Sequence, residues 1–119
     1  MKKTLVFGAS LKSGRYSNIA IKRLVDNDIP TVAFGLRKGE VHGVHIADRL
    51  DSFQDIHTVT LYINPKRQPE YYNHIINLQP NRVIFNPGTE NPQFYPLLEE
   101  SNIQVEVACT LVLLATHQY

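Results

Sequence analysis

Met1–Ser17 reads M-K-K-T-L-V-F-G-A-S-L-K-S-G-R-Y-S, and the order of residue types in it decides the fold. Thr4-Leu5-Val6-Phe7 is an uninterrupted apolar run of strand length, as a strand buried on both faces requires. The run breaks at Gly8-Ala9-Ser10, a loop containing Gly14 follows, and Ser17 stands where an N-cap would open a helix at Asn18. Strand, small-residue turn, loop and helix start make the first half of a βαβ unit whose turn can hold a phosphate. Gly8 would let the backbone approach the anion, and Ser10 would offer a hydroxyl and exposed N–H groups. The helix N-terminus would add unpaired donors and a partial positive charge, and Arg15 a full one. The same residues also fit an ordinary strand-to-helix turn capped by Ser17. A dinucleotide fingerprint would place G-x-G-x-x-G directly after the strand, whereas Gly8 and Gly14 are six apart with Ala9-Ser10 between. The phosphate loop is therefore of another kind.

Composition narrows the class. A chain of 119 residues is long enough for one domain with a real core, and the whole of 1–119 is read as a single domain. Hydrophobic content of 43% and charged content of 19% suit a soluble globular protein. A net charge of +1 implies no general field for nucleic acid or acidic membrane, so any basic site must be local. Cys109 is the only cysteine, which excludes an internal disulfide and fits a reducing compartment. The apolar run before Gly8 is too short for a signal peptide, and no segment approaches the roughly 20 apolar residues that span a bilayer. The expectation is a cytoplasmic protein without nucleic-acid or membrane partners.

Further along, a helix over Asn18–Asp26 would bury Ala20, Ile21, Leu24 and Val25. Thr31–Phe34, His57–Ile63, Arg82–Asn86 and Ile103–Val107 read as strands, with Val44–Ile46 as a minor one. Ala47–Phe53 reads as a helical turn or short helix. Pro69 suits the first turn of a helix in which Tyr72, Ile75, Ile76 and Gln79 share a face. Another helix falls between Asn91 and Ser101, where Pro96 predicts a kink or a late start. Thr110–Thr116 would close the chain as a helix on the sheet. Strands alternating with helices predict an α/β, three-layer, open parallel sheet of five to six strands with helices on both faces. Right-handed crossovers then gather the ends at Phe7, Phe34, Ile63 and Phe85 on one rim, where such sheets bind ligands.

The end of the second strand decides which nucleotide is plausible. Phe34-Gly35-Leu36-Arg37-Lys38-Gly39 has no acid to accept ribose hydroxyls, and its two cations suit a phosphate on the adenosine ribose, as in NADP or coenzyme A. A solvated basic turn is the plainer alternative. His42-x-x-His45 with Asp48 is a weak metal pattern, and no metal site is expected. Ser10 lacks the context of a nucleophile elbow. Tyr71-Tyr72 would divide between solvent and core, and Cys109 reads as a small buried hydrophobe. No residue pair demands acid–base or nucleophilic chemistry, which favours a binding module over an enzyme.

Gly8-Ala9-Ser10, then Arg15-Tyr16-Ser17, the glycine-and-lysine loop after the second strand, and Gly43-Val44-His45-Ile46-Ala47-Asp48 together resemble the small bacterial CoA-binding domain proteins. These are similar to the N-terminal domain of the succinyl-CoA synthetase α-subunit. The resemblance runs from Lys3 to Cys109. It implies a Rossmann-like sheet with the nucleotide of CoA or an acyl-CoA over the first loop. Gly8, Ala9, Ser10, Arg15, Tyr16 and Ser17 would hold the pyrophosphate region. Lys38, helped by Arg37, would meet the ribose phosphate. Asn64-Pro65 matches the turn after the mid-chain strand, and Asn86-Pro87-Gly88 would line the pantetheine path. Asn64-Pro65-Lys66-Arg67 is more basic than the family pattern, and Leu111–Tyr119 matches it poorly. The histidine-bearing second domain of the ligases has no counterpart here, so the resemblance implies CoA binding without catalysis. The rival expectations are an NADP- or other nucleotide-using enzyme or subunit, and an interaction domain that has lost its ligand. Oligomeric state is not legible in the residues; only the family resemblance implies a homodimer or a partner enzyme subunit.

Overall fold

The computed structural model describes every residue from Met1 to Tyr119. Its strands are β1 (Thr4–Phe7), β2 (Thr31–Phe34), β3 (Gly39–Val41), β4 (Val44–Ala47), β5 (Thr58–Leu61), β6 (Arg82–Phe85) and β7 (Gln104–Val107). Its helices are α1 (Tyr16–Asp26), α2 (Tyr72–Asn77), α3 (Tyr95–Glu100) and α4 (Thr110–Ala115). One sheet runs β3-β4-β2-β1-β5-β6-β7, parallel throughout except where β3 pairs antiparallel with β4. The architecture is the expected α/β open sheet, with seven strands rather than five or six. The additional strand, Gly39–Val41, had read as loop. It is too short and glycine-led to show a period, and it forms a hairpin with β4 around His42 and Gly43, both at positive φ.

Alternation along the strands builds two cores. Leu5 and Phe7, Val59 and Leu61, and Val83 and Phe85 face Ile75 of α2 and Leu98 of α3. Val6, Ala33 and Ile46 face the other way, onto Ile21 and Leu24 of α1 and Leu114 of α4. That second face turns polar toward β6. Buried Thr60 meets Thr110 of α4 at 2.7 Å, and Arg82 reaches Glu106 at 3.0 Å and the Tyr119 backbone oxygen at 2.9 Å. The Tyr119 ring lies 4.4 Å from the Arg82 guanidinium and its hydroxyl meets Thr4 Oγ1. Burial pushes its phenol pKa up, outweighing both contacts, which favour the phenolate. The C-terminal segment Thr110–Tyr119 thus covers the β1–β5–β6 face.

Several boundaries differ from the sequence reading. Helix α1 begins at Tyr16, with extended Arg15 at the N-cap and no side-chain cap, so Ser17 is a buried residue of the first turn. Asn18 and Ile19 already donate to the Arg15 carbonyl, which fixes the start two residues earlier than expected. Val25 points outward, off the buried stripe. Ala47–Phe53 is not helical; Asp48, Asp51 and Ser52 favour local turns over a helix too short to nucleate. Pro69 sits in a 3-10 turn, Gln68–Tyr71, that leads into α2, and Gln79 leaves the helix at φ 48°. Pro96 occupies the first turn of α3, so the late start is what the chain adopts. Cys109 is half-buried at the N-cap of α4 rather than in the core. No helix is long and apolar enough to cross a membrane.

Candidate functional site

The parallel register aligns the carboxyl ends of the central strands, pairing Phe7 with both Phe34 and Leu61, and Leu61 with Phe85. Strand order reverses at β1: the chain leaves it toward β2 and returns to pair β5 on its other side. A crevice opens at such a switch point because the loops above it diverge. Here it is a cleft of about 640 Å³. The loop after β1 supplies its floor and one wall, from Gly8 to Lys12 and from Arg15 to Ser17. Phe34–Arg37 after β2 and Tyr62–Asn64, Arg67 and Tyr71 after β5 supply the rest.

The backbone of the first loop sorts into bound and open amides. Gly8 and Ala9 both donate to the Phe34 carbonyl, at 2.9 and 2.8 Å, tying the loop to the end of β2. Lys12 N–H donates to Ser10 Oγ at 3.1 Å, and Arg15 N–H to the Lys12 carbonyl at 3.1 Å. The amides of Ser10, Leu11, Tyr16 and Ser17 meet no protein acceptor, and all four residues line the cleft. The last two belong to the N-terminal turn of α1, where the helix dipole adds partial positive charge.

Charge follows the same division. Of twelve Lys and Arg in the chain, Lys12, Arg15, Arg37 and Arg67 line the cleft, and none of the eleven Asp and Glu does. The remaining eight cations face eleven acids, so a chain of nearly zero net charge concentrates its positive potential at one crevice. Leu11, Tyr16 and Leu36 stand exposed around the rim. Tyr62 is half-buried in the wall, and burial pushes its phenol up to about 12, so it remains a neutral hydrogen-bonding group. A second hollow of about 570 Å³ continues past Phe34–Leu36 and Tyr71, between Asp48–Asp51 and His74.

The structure therefore brings together Gly8, Ala9, Ser10, Arg15, Tyr16, Ser17, Arg37 and Asn64 from the expected site. Gly8 is needed for a different reason from the one read in the sequence. At φ 101° its missing Cβ would lie 2.9 Å from both Ile63 Cγ1 and the Tyr62 carbonyl, so glycine there lets β1 turn beside β5. A Cβ on Gly35 would overlap the Ala9 carbonyl, so that glycine serves the contact between the two loops. Lys38 lies outside the cleft lining, exposed and 4.0 Å from Asp48, while Arg37 faces in. Pro65 is half-buried and, unlike Asn64, does not line the cleft.

Asn86, Pro87 and Gly88 are not part of the cleft. Asn86 is buried, donating to Thr60 Oγ1 and the Leu61 carbonyl at 2.8 and 3.0 Å and accepting from Thr110 N–H at 2.9 Å. His42, His45 and Asp48 form no metal-binding group; His42 Nε2 instead meets Asn18 Oδ1 at 2.9 Å. Lys12, Tyr62, Arg67 and Tyr71 escaped the sequence reading. Arg67 had a signal, the unusually basic Asn64–Arg67 turn; Tyr62 and Tyr71 had none, because their placement depends on the crossover.

A model of the CoA binding domain matches residues 2–115. A crystal structure described as that of an uncharacterized protein is 43% identical, with a TM-score of 0.96, over 100% of this chain and 98% of that one. A hypothetical protein from Pyrococcus horikoshii OT3 is 28% identical, with a TM-score of 0.84, over 93% and 80%. Cell-free ID.343 from Thermus thermophilus, at 19% identity, a TM-score of 0.87 and coverage of 99% and 90%, shares the fold alone. No curated protein matches the chain.

Proposed function

The chain belongs to the CoA binding domain family, and on that premise we propose that it binds coenzyme A or an acyl-CoA through the nucleotide portion, in the cleft above β1, with no chemistry of its own. The observation that carries the reading is a crevice with four cations, no acid and, along its first loop, four open amides. A pyrophosphate and a ribose phosphate need such donors together. Exposed Leu11, Tyr16 and Leu36 offer apolar surface to a base beside the phosphates. Arg37 stands where a NAD site would carry an acid for the ribose hydroxyls.

The absence of His, Cys, Asp and Glu from the cleft lining supports binding over catalysis. General acid–base catalysis needs a group that titrates near the working pH, and Tyr62 at about 12 is far from it.

Thermal melting with CoA, NAD, NADP and ATP tests the ligand. A ligand specific for the folded state raises the melting temperature, and CoA should raise it most. A larger shift with NAD would overturn the reading. Incubation with acetyl-CoA, followed by thiol titration, tests the absence of chemistry: release of free CoA by the protein would contradict it.

A further inference from the structure

We infer that Asn18, itself oriented by His42, is the positioning residue that aims the Leu11 amide into the cleft, so that a hairpin tip outside the cleft sets its hold on phosphate. This rests on the reading that the cleft takes a phosphate-bearing ligand. Asn18 lies in the first turn of α1 and is only 4% exposed. Its Nδ2 donates to the Ser10 carbonyl at 3.0 Å. The peptide unit joining Ser10 to Leu11 is planar and trans, so its C=O and N–H point in opposite directions. With the carbonyl held toward α1, the Leu11 N–H is turned away from it, where it meets no protein acceptor.

The Ser10 carbonyl only accepts, so the Nδ2 end of the Asn18 amide faces it and the Oδ1 end faces His42. His42 Nε2 lies 2.9 Å from that oxygen and therefore carries the proton. This second hydrogen bond holds the amide plane against rotation and keeps Nδ2 on Ser10. His42 sits at φ 51° on the β3–β4 turn and is not among the residues lining the cleft. The link is a relay from hairpin to helix to loop, through side chains that do not line the cleft.

Calorimetric titration of CoA into variants tests the relay. Asn18→Leu keeps the volume and removes both hydrogen bonds, and should weaken CoA about tenfold. His42→Ala leaves the donor but frees the amide to rotate, and should weaken it about threefold. His42→Gln, which keeps an N–H donor, should restore affinity. The double variant Asn18→Leu/His42→Ala should bind no more weakly than Asn18→Leu alone, because the two residues act through one contact. A merely structural role would lower the melting temperature of each variant and leave the affinity of the folded protein unchanged, which would overturn the inference. Losses that add in the double variant would overturn it equally. Should Asn18→Leu not fold, His42→Ala and His42→Gln, which alter an exposed ring, carry the test alone.

A readout that does not need CoA separates this inference from the ligand reading. Inorganic pyrophosphate, at a concentration below saturation, should move the Leu11 amide resonance of the wild type and move it clearly less in His42→Ala at the same concentration. If the wild type responds to pyrophosphate and not to CoA, the ligand reading fails and the relay stands. If the wild-type Leu11 amide does not respond to pyrophosphate, the relay is wrong.

Discussion

Two short turns of small and polar residues leave the same rim of the sheet, Gly8-Ala9-Ser10 after β1 and Asn86-Pro87-Gly88 after β6, and they do opposite things. After β6 the polar groups are engaged. Asn86 makes three buried hydrogen bonds, Thr89 returns its amide and hydroxyl to the Asn86 carbonyl at 2.9 and 2.8 Å, and Gly88 N–H meets Glu90 at 2.8 Å. Buried Gln68 then ties this loop to the one after β5, donating to the Thr89 and Ile63 carbonyls at 2.7 and 2.9 Å and accepting from Asn91 at 2.9 Å. After β1, the amides of Ser10, Leu11, Tyr16 and Ser17, all lining the cleft, have no partner, and two cations stand beside them. Small and polar residues mark a tight turn in either case. A ligand is indicated only where the donors remain open, and they remain open where strand order reverses.

The largest effect should come from breaking the engaged loop. Asn86→Leu leaves the Thr110 N–H and the Leu61 carbonyl without their partners and should cost about 3–4 kcal/mol of stability. Urea denaturation would show it, while calorimetry on the folded variant should find CoA affinity intact. Gly8→Ala comes next. Strain at positive φ and overlap with Ile63 should together cost about 2–3 kcal/mol in the same assay, a loss of folding rather than of phosphate contact. Arg15→Ala should reverse the pattern, leaving the melting temperature of the free protein in place and removing about 1.5–3 kcal/mol of CoA binding. The smallest difference should lie between neighbours. Arg37→Ala should weaken CoA by about 1–2 kcal/mol, and more than it weakens dephospho-CoA, with a loss that shrinks as salt rises. Lys38→Ala should cost less than about 1 kcal/mol, since that side chain is solvated beside Asp48. The reverse order would return the ribose-phosphate role to Lys38.

What could be read from the sequence follows from how local each cause is. Thr4–Phe7, Thr31–Phe34, Thr58–Leu61 and Arg82–Phe85 are dense apolar or β-branched runs, and the alternation with helices then sets a parallel sheet and its ligand rim. Gly39–Val41 was invisible because a three-residue edge strand exists only through its pairing with β4. The start of α1 was misplaced because Ser17 has cap chemistry, while the backbone bonds of Asn18 and Ile19 to the Arg15 carbonyl begin the helix earlier. Within the site, Ser10 and Arg15 lie in one continuous stretch and could be read directly. Arg67, Tyr62 and Tyr71 reach the cleft only because β5 pairs with β1. Asn86 was misassigned for the complementary reason: its partners Thr60 and Thr110 are 26 and 24 residues away, so nothing local shows that its amide is engaged.

The most direct test is a titration of ¹⁵N-labelled protein with CoA, followed amide by amide. The largest shifts should fall on Ser10, Leu11, Tyr16 and Ser17, with Gly88–Asn91 nearly unmoved, and NAD at the same concentration should produce much smaller changes. Shifts concentrated in Gly88–Asn91, or an equal response to NAD, would contradict the assignment of the cleft above β1 as a CoA site.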